Sequence, residues 1–263
     1  MRDIAVVVSN SDRSMISPFE TIDAIKEAGF QHVFIQWYNN STWKQSQEEQ
    51  LKYIRRLDLN VLFAHLEYKK INSIWEDDEY GETLVENYIR DIKLCKDNGI
   101  PMIVMHVTNG SKSPSVSESG LNRFKKICDY ARELDIKVAF ENTEIKGYLE
   151  YVIEHITNDN VGICFDSGHC HLHFNNEFNF DLFKDRILAV HFHDNDQTDD
   201  MHMLPFDGTI DWSWFVSRLK ECNYVDPITL EILYLHEYLQ HSPLDFYRRG
   251  YMIGEKLARE FEK

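Results

Sequence analysis

Residues 188–208, LAVHFHDNDQTDDMHMLPFDG, carry a dense set of side chains able to hold a metal ion. An apolar run over residues 187–190 reads as a strand, and His191, His193 and Asp194 follow directly. Six residues after Asp194 comes Asp200-Met201-His202. Imidazoles and carboxylates gathered just past a buried strand are the donor set of a divalent-cation site. With no thiolate in the set, oxygen and nitrogen donors suit Zn²⁺, Mn²⁺ or Co²⁺.

The same placement recurs along the chain. The residues that follow the expected strands include His65, His106, Glu141, Asp166, His191 and Glu231. One such residue at a strand end is ordinarily structural. Six converging on one rim call for another account, because carboxylates facing each other in a closed mouth repel and raise each other's pKa. A bound cation removes that cost. Three more donors stand close by. His169 lies three residues past Asp166, and one helical turn brings such a pair to the same side. Asp200 and His202 are spaced by one and point the same way if their loop is extended. His193 and Asp194 are expected to orient His191 from behind. His171 and His173 receive no role, and His32, His155, His236 and His241 read as ordinary helix, loop or surface histidines.

These side chains need a scaffold that brings many strand ends together. Eight times an apolar run leads into a loop and then a helical pattern. The strands are expected at 4–8, 32–36, 60–64, 101–105, 137–140, 161–165, 187–190 and 228–230. Helices are expected after Ser17-Pro18 up to Gly29, and at 46–57, 83–98, 118–134, 147–156, 211–221 and 242–262, with a poorly marked one at 181–185. Residues 9–14 read as a loop, and the Ser/Gly/Pro-rich stretch 108–117 either as a mobile lid or entrance or as a plain surface connection. Strands separated by helices argue a parallel sheet. Eight such units in 263 residues fit one α/β domain, a single (β/α)₈ TIM barrel over residues 1–263, whose active site sits at the C-terminal ends of the strands. No glycine-rich phosphate loop follows the first strand, which argues against a doubly wound sheet.

Composition sets outer bounds. A formal net charge of -16, with no basic run beyond pairs such as Lys69-Lys70, opposes binding to nucleic acid. Five cysteines without CxxC spacing point to reduced thiols and a cytoplasmic setting. The N-terminal apolar run is too short for a signal peptide, and no stretch is long enough to span a membrane.

Several short motifs extend these observations. They are FENT at 140–143, CFDSGH at 164–169, VHFHDND at 190–196, DMH at 200–202 leading to PFDGTIDW at 205–212, and LEI at 230–232. In this order, at these strand ends, the chain resembles the xylose isomerase-like TIM-barrel superfamily over nearly its whole length. That superfamily joins sugar isomerases and epimerases with endonuclease IV-type AP endonucleases. The ketose 3-epimerase branch implies a one-metal core on Glu141, Asp166, His191 and Glu231, with Glu141 and Glu231 moving the proton. The endonuclease branch implies three zinc ions on nine ligands: His65, His106, Glu141, Asp166, His169, His191, Asp200, His202 and Glu231. Phosphodiester hydrolysis by a metal-activated hydroxide would follow from that set.

The chain departs from the endonuclease pattern at Asp207, where glutamate is usual, and at His193, where asparagine is usual. Its charge and the loops after the second and third strands, poor in Arg and Gly, also fit duplex DNA badly. The resemblance therefore implies first a metal-dependent isomerase or epimerase of a small sugar, polyol or sugar phosphate, with one to three divalent ions. An AP endonuclease and a catalytically silent metal-binding barrel are the alternatives.

Overall fold

The computed structural model describes residues 2–9, 15–38 and 46–263, with residues 236 and 237 described by their backbone alone. The loop expected at 9–14 lies, after Ser9, outside the described residues, and so does the side chain of His236. Eight strands form one parallel sheet in the order β7-β6-β5-β4-β3-β2-β1-β8. They are β1 (Ile4–Val8), β2 (His32–Trp37), β3 (Asn60–Leu66), β4 (Met102–His106), β5 (Lys137–Glu141), β6 (Val161–Asp166), β7 (Ile187–His191) and β8 (Ile228–Leu230). An isolated parallel bridge between Phe192 and Leu230 joins the two ends. There Phe192 N–H donates to Thr229 O at 2.9 Å and Glu231 N–H to Phe192 O at 3.1 Å. The sheet thereby curls into a nearly closed (β/α)₈ barrel, as expected from eight strand–helix units.

The surrounding helices are α1 (Pro18–Ala28), α2 (Gln47–Arg56), α3 (Glu79–Asp97), α4 (Glu118–Glu133), α5 (Tyr148–His155), α6 (Ser167–Phe174), α7 (Phe180–Phe183), α8 (Trp212–Glu221) and α9 (Pro243–Glu262). Local chemistry sets their ends. Ser17 and Glu20 form a capping box at the start of α1, Pro18 follows the cap, and Gly29 closes the helix at φ 107°. Helix α3 begins four residues earlier than its apolar pattern suggests. Asp78 caps it by accepting the Gly81 N–H at 3.0 Å, and the acidic cluster before Thr83 supplies a first turn that suits the helix dipole. Helix α6 is absent from the sequence expectation. Its sequence, SGHCHLHF, has no apolar stripe, and it starts because Asp166 accepts the His169 N–H at 2.7 Å.

Two-residue periodicity divides the strands between two cores. Val6, Val33, Ile103, Phe140, Ile163, Val190 and Leu230 pack outward in the layer shared with the helices. Val7, Phe34, Phe63, Val104, Ala139, Cys164 and Ala189 fill the barrel interior. Two residues beyond each interior residue, on the same face, stands the side chain that reaches the mouth. That rule gives His65, His106, Glu141, Asp166 and His191, and from Thr229 on β8 it gives Glu231. From Val7 and Phe34 it gives Ser9 and Gln36, which hydrogen-bond each other at 3.0 Å. Six strands thus deliver metal-competent groups and two deliver neutral ones. All five cysteines are free and buried. Among the described residues, no helix is long and apolar enough to cross a membrane.

Candidate metal centre

Glu141 lies at the centre of the mouth. Its Oε2 is 3.1 Å from His65 Nε2 and 3.1 Å from His191 Nδ1. Its Oε1 is 3.1 Å from His169 Nδ1 and 3.6 Å from His106 Nε2. His191 Nδ1 also lies 3.3 Å from Glu231 Oε2 and 3.7 Å from Asp166 Oδ2. Further out, Asp200 Oδ2 is 3.0 Å from His202 Nε2 and 3.7 Å from His169 Nε2. All nine residues singled out in the sequence fall in this one connected cluster. Glu141, Asp166, His191 and Glu231 offer donor atoms within 4.8 Å of one another, as do His65, His106 and Glu141.

The hydrogen-bond pattern shows which ring nitrogens are open. A backbone carbonyl can only accept, so a ring nitrogen facing one is N–H. His65 Nδ1 donates to Leu66 O at 3.1 Å, and His202 Nδ1 donates to Glu231 O at 2.8 Å. His169 Nδ1 donates to Asn142 O at 2.9 Å. When these rings are neutral, their Nε2 lone pairs face the oxygens of Glu141 and Asp200. A lone pair against a carboxylate is repulsive unless a cation sits between them. His191 supports the same reading, since its Nε2 is buried and without a hydrogen-bond partner while its Nδ1 faces the carboxylates of Glu141, Glu231 and Asp166 at once. Buried donors and acceptors of this kind ordinarily find partners. The donor set therefore fits divalent cations.

Electrostatics separate the two glutamates. Burial pushes the Glu141 carboxyl up, but His191, His106 and hydrogen bonds from His169 and His191 outweigh it and hold Glu141 well below its ordinary range. Burial also pushes Glu231 up, and there the charges of Glu141 and Asp166 add to it, so Glu231 lies well above the usual range. His106 falls to about 3 because burial outweighs the attraction of Glu141.

Several neighbours hold this cluster in place. Asn142, next to Glu141 in the FENT motif, exchanges two hydrogen bonds with the Asp166 backbone, at 2.9 and 2.8 Å. Ser167 Oγ donates to His191 O and His193 O at 3.1 and 2.9 Å. Tyr68, three residues past His65, stacks on His106 with ring centroids 4.1 Å apart. Burial together with the carboxylates Glu231, Asp200 and Glu141 pushes its phenol up to about 12. The sequence signals for Asn142 and Ser167 were their places inside motifs; Tyr68 had none.

Three expectations are corrected. Asp194 does not orient His191. Its carboxylate accepts from the backbone N–H groups of Asn195, Phe206 and Ile210 and from Trp212 Nε1, at 2.8–3.1 Å. It also pairs with Met203 in an antiparallel bridge, so residues 195–202 leave and return beside it, carrying Asp200 and His202 over the mouth. The loop there is not simply extended, since His202 has a left-handed backbone at φ 48°. His193 does not contact His191 through its ring; its Nε2 is 3.1 Å from both oxygens of Asp166. The stretch 108–117 is tied down. Asn72 bonds the backbone N–H and carbonyl of Asn109, each at 2.8 Å, and Gly110 N–H donates to Glu144 at 2.9 Å. Asp207 turns away from the cluster toward Tyr238 Oη, at 2.8 Å, and Arg249.

Comparison with known proteins gives three kinds of match. A family model described as xylose isomerase-like TIM barrel matches residues 22–249. Uncharacterized protein y4fM of Sinorhizobium fredii is 25% identical over 274 residues, covering 90% of this chain and 87% of the relative. A probable endonuclease 4 of Mycoplasma capricolum is 29% identical over 167 residues, 53% of this chain and 55% of the relative, so about half of each is matched. Among solved structures, D-allulose 3-epimerase from Methylomonas sp. in complex with D-allulose aligns with a TM-score of 0.76 at 14% identity, covering 97% of this chain and 96% of that one. IOLI protein with a bound zinc atom aligns with a TM-score of 0.80 at 15% identity, covering 98% and 99%. At these identities the solved structures speak for the fold.

Proposed function

This chain belongs to the xylose isomerase-like TIM-barrel family, and on that premise we propose that it is a divalent-metal-dependent isomerase or epimerase. Its substrate class is a small sugar, polyol or sugar phosphate, and Glu141 and Glu231 are its proton-transfer pair. The observation that carries this reading is the pairing of the two carboxylates around one imidazole. Glu141 Oε2 and Glu231 Oε2 approach His191 Nδ1 at 3.1 and 3.3 Å from strands β5 and β8, three places apart around the barrel. Several structural neighbours, among them a D-allulose 3-epimerase and an L-ribulose 3-epimerase, agree with it.

Glu141, Asp166, His191 and Glu231 would hold the principal ion, with His65, His106, His169, Asp200 and His202 available for further ones. A divalent cation bound there supplies Lewis acidity to carbonyl and hydroxyl oxygens, which makes the C–H between them easier to ionise. The protein's own groups then move the proton. Glu231 is the less enclosed of the two glutamates and is suited to take it. Glu141, with both oxygens amid histidines, faces the substrate from another strand. Return to the opposite face of the same carbon gives an epimer, and return to the neighbouring carbon gives an aldose–ketose isomerisation. Residues 1–263 act as one barrel domain, and the five free, buried cysteines fit a reducing, cytoplasmic setting.

A second reading, a zinc phosphodiesterase acting on abasic DNA, is favoured by the outer histidines and Asp200, which a one-metal sugar enzyme does not need. The match to a probable endonuclease 4 points the same way. A panel of ketoses and aldoses, with and without phosphate, run beside a labelled abasic duplex, separates the two. Turnover of a sugar that is lost in Glu231→Gln supports the first reading. Strand scission that is lost in His106→Ala, with every sugar inert, establishes the second.

A further inference from the structure

The endonuclease branch of the resemblance implies asparagine, not histidine, at position 193, and His193 lies outside the nine candidate ligands. It is fully buried. Its Nε2 lies 3.1 Å from each oxygen of Asp166, so this nitrogen is the N–H donor. In the neutral ring its Nδ1 then carries the lone pair, and that atom is buried with no hydrogen-bond partner. It points to the outer cluster, 3.8 Å from Asp200 Oδ1. The donor atoms of His193, Asp200 and His202 all lie within 4.8 Å of one another, and His169 Nε2 approaches the same carboxylate, 3.7 Å from Asp200 Oδ2. The ring's position is prepared, because a Cβ built on Gly168 would lie 1.9 Å from His193 Cε1. A histidine that ligates a metal typically gives its other N–H to a carboxylate or carbonyl. His65, His169 and His202 follow that rule through backbone carbonyls. His193 follows it through Asp166, itself a member of the inner cluster.

We propose that His193 is a ligand, through Nδ1, of an outer cation also held by Asp200, His202 and His169, and that this fourth protein donor closes the outer site. The inference rests on the reading of the mouth as a divalent-cation site. A site with four protein ligands is the structural kind, whereas a catalytic site keeps a position open for water or substrate. With His193 in place, the outer ion has no vacancy for a phosphate oxygen. It serves to fix the loop over residues 195–202 and to offset the charges of Asp166 and Asp200. A three-ion attack on a phosphodiester loses one of its ions, while proton transfer at the inner cluster is unaffected.

The test uses the full-length chain loaded with NMR-active cadmium, with isotope-labelled histidine. The expected result is one-bond cadmium–nitrogen coupling to His193 Nδ1, with the same cadmium resonance coupled to His202 Nε2. Inorganic phosphate should leave that resonance unmoved. In His193→Asn the outer ion should bind roughly 10–100-fold more weakly, the range for losing a supporting partner or more, and phosphate should now shift its resonance. The inner cadmium should keep its coupling to His191, although it too binds more weakly once Asp166 loses the His193 N–H. Should that variant fail to fold, the couplings of the wild-type protein decide alone. A His193 ring coupled to no cadmium while His202 is coupled, or no outer cadmium at all, overturns the proposal. Neither outcome depends on turnover, so an inert sugar panel would defeat the proposed reaction and leave this ligand assignment standing.

Discussion

The two ends of the barrel interior are made from the same eight strands and could hardly differ more. At the mouth, Glu141 is enclosed by His65, His106, His169 and His191, and Glu231 and Asp166 complete a cluster rich in buried charge. Two residues down each strand the same face carries Val7, Phe34, Phe63, Val104, Ala139, Cys164 and Ala189. Nearer the opposite opening lies a pocket of about 180 Å³, lined mostly by apolar groups such as Leu62, Met102 and Leu188, with Lys137 and Asp226 at its edge. Burying charge costs free energy and burying apolar surface supplies it. The lower interior therefore sustains a mouth that would be unfavourable on its own. Phe34 is where they meet, its ring stacked beneath His191 with centroids 5.2 Å apart.

This contrast should separate function from stability. The largest effect is expected at the inner cluster. Asp166→Ala should abolish retention of the principal ion and all turnover, read by elemental analysis and by assay; a variant that keeps the whole metal content of the wild-type protein would remove Asp166 from the ligand set. Next comes Glu231→Gln, which should keep some metal because an amide oxygen still coordinates. It should lose about 10²–10⁴-fold in rate, the range for a general acid–base group. Without metal, Glu231→Gln should also melt higher than the wild-type protein under chelation at neutral pH, since burial and the charges of Glu141 and Asp166 raise the Glu231 pKa, a cost that the neutral amide does not meet. Equal melting points would mean that the mouth carries no such strain.

The lower interior should respond the other way. Met102→Ala should cost about 2–5 kcal/mol by denaturant unfolding, with metal content per folded molecule unchanged. Loss of metal at intact stability would erase the distinction. The smallest effect is at Asp226. Burial raises its carboxyl above the ordinary range, with Lys137 and Arg2 pulling weakly in the opposite direction. A raised folded-state pKa means that stability is present below the unfolded value and is lost as pH rises through the folded one. Asp226→Asn should therefore stabilise the protein at neutral pH by less than about 1 kcal/mol, given the screening of a half-exposed group. The gain should vanish in acid.

The same contrast explains what the sequence made legible. Strand-end ligands follow a period of two and sit where apolar runs stop, so the positions of His65, His106, Glu141, Asp166, His191 and Glu231 could be read directly. Helix α6 could not, because its sequence lacks an apolar stripe and its start depends on a cap from Asp166. The partner of His193 was hidden for the same reason. It depends on where α6 places Gly168 and how the loop from Asp194 to Met203 returns. Asp194 looked like a neighbour of the metal because it is acidic and adjacent. Three of its four hydrogen-bond partners, Phe206, Ile210 and Trp212, lie twelve to eighteen residues away and appear only once PFDGTIDW folds back over it. Local pattern carries the parts built by single strands, and tertiary return carries the rest.

The central claim is that two glutamates pass a proton to and from a substrate carbon, and turnover in D₂O tests it most directly. Metal-loaded protein would be given each member of the ketose and aldose panel, and the product followed by NMR. The account predicts one solvent deuteron at the reacting carbon, and none incorporated by Glu231→Gln beyond its residual rate. A product formed at full rate without solvent deuterium would show a hydride shift instead, and would contradict the two-glutamate mechanism even with the barrel and its metal in place.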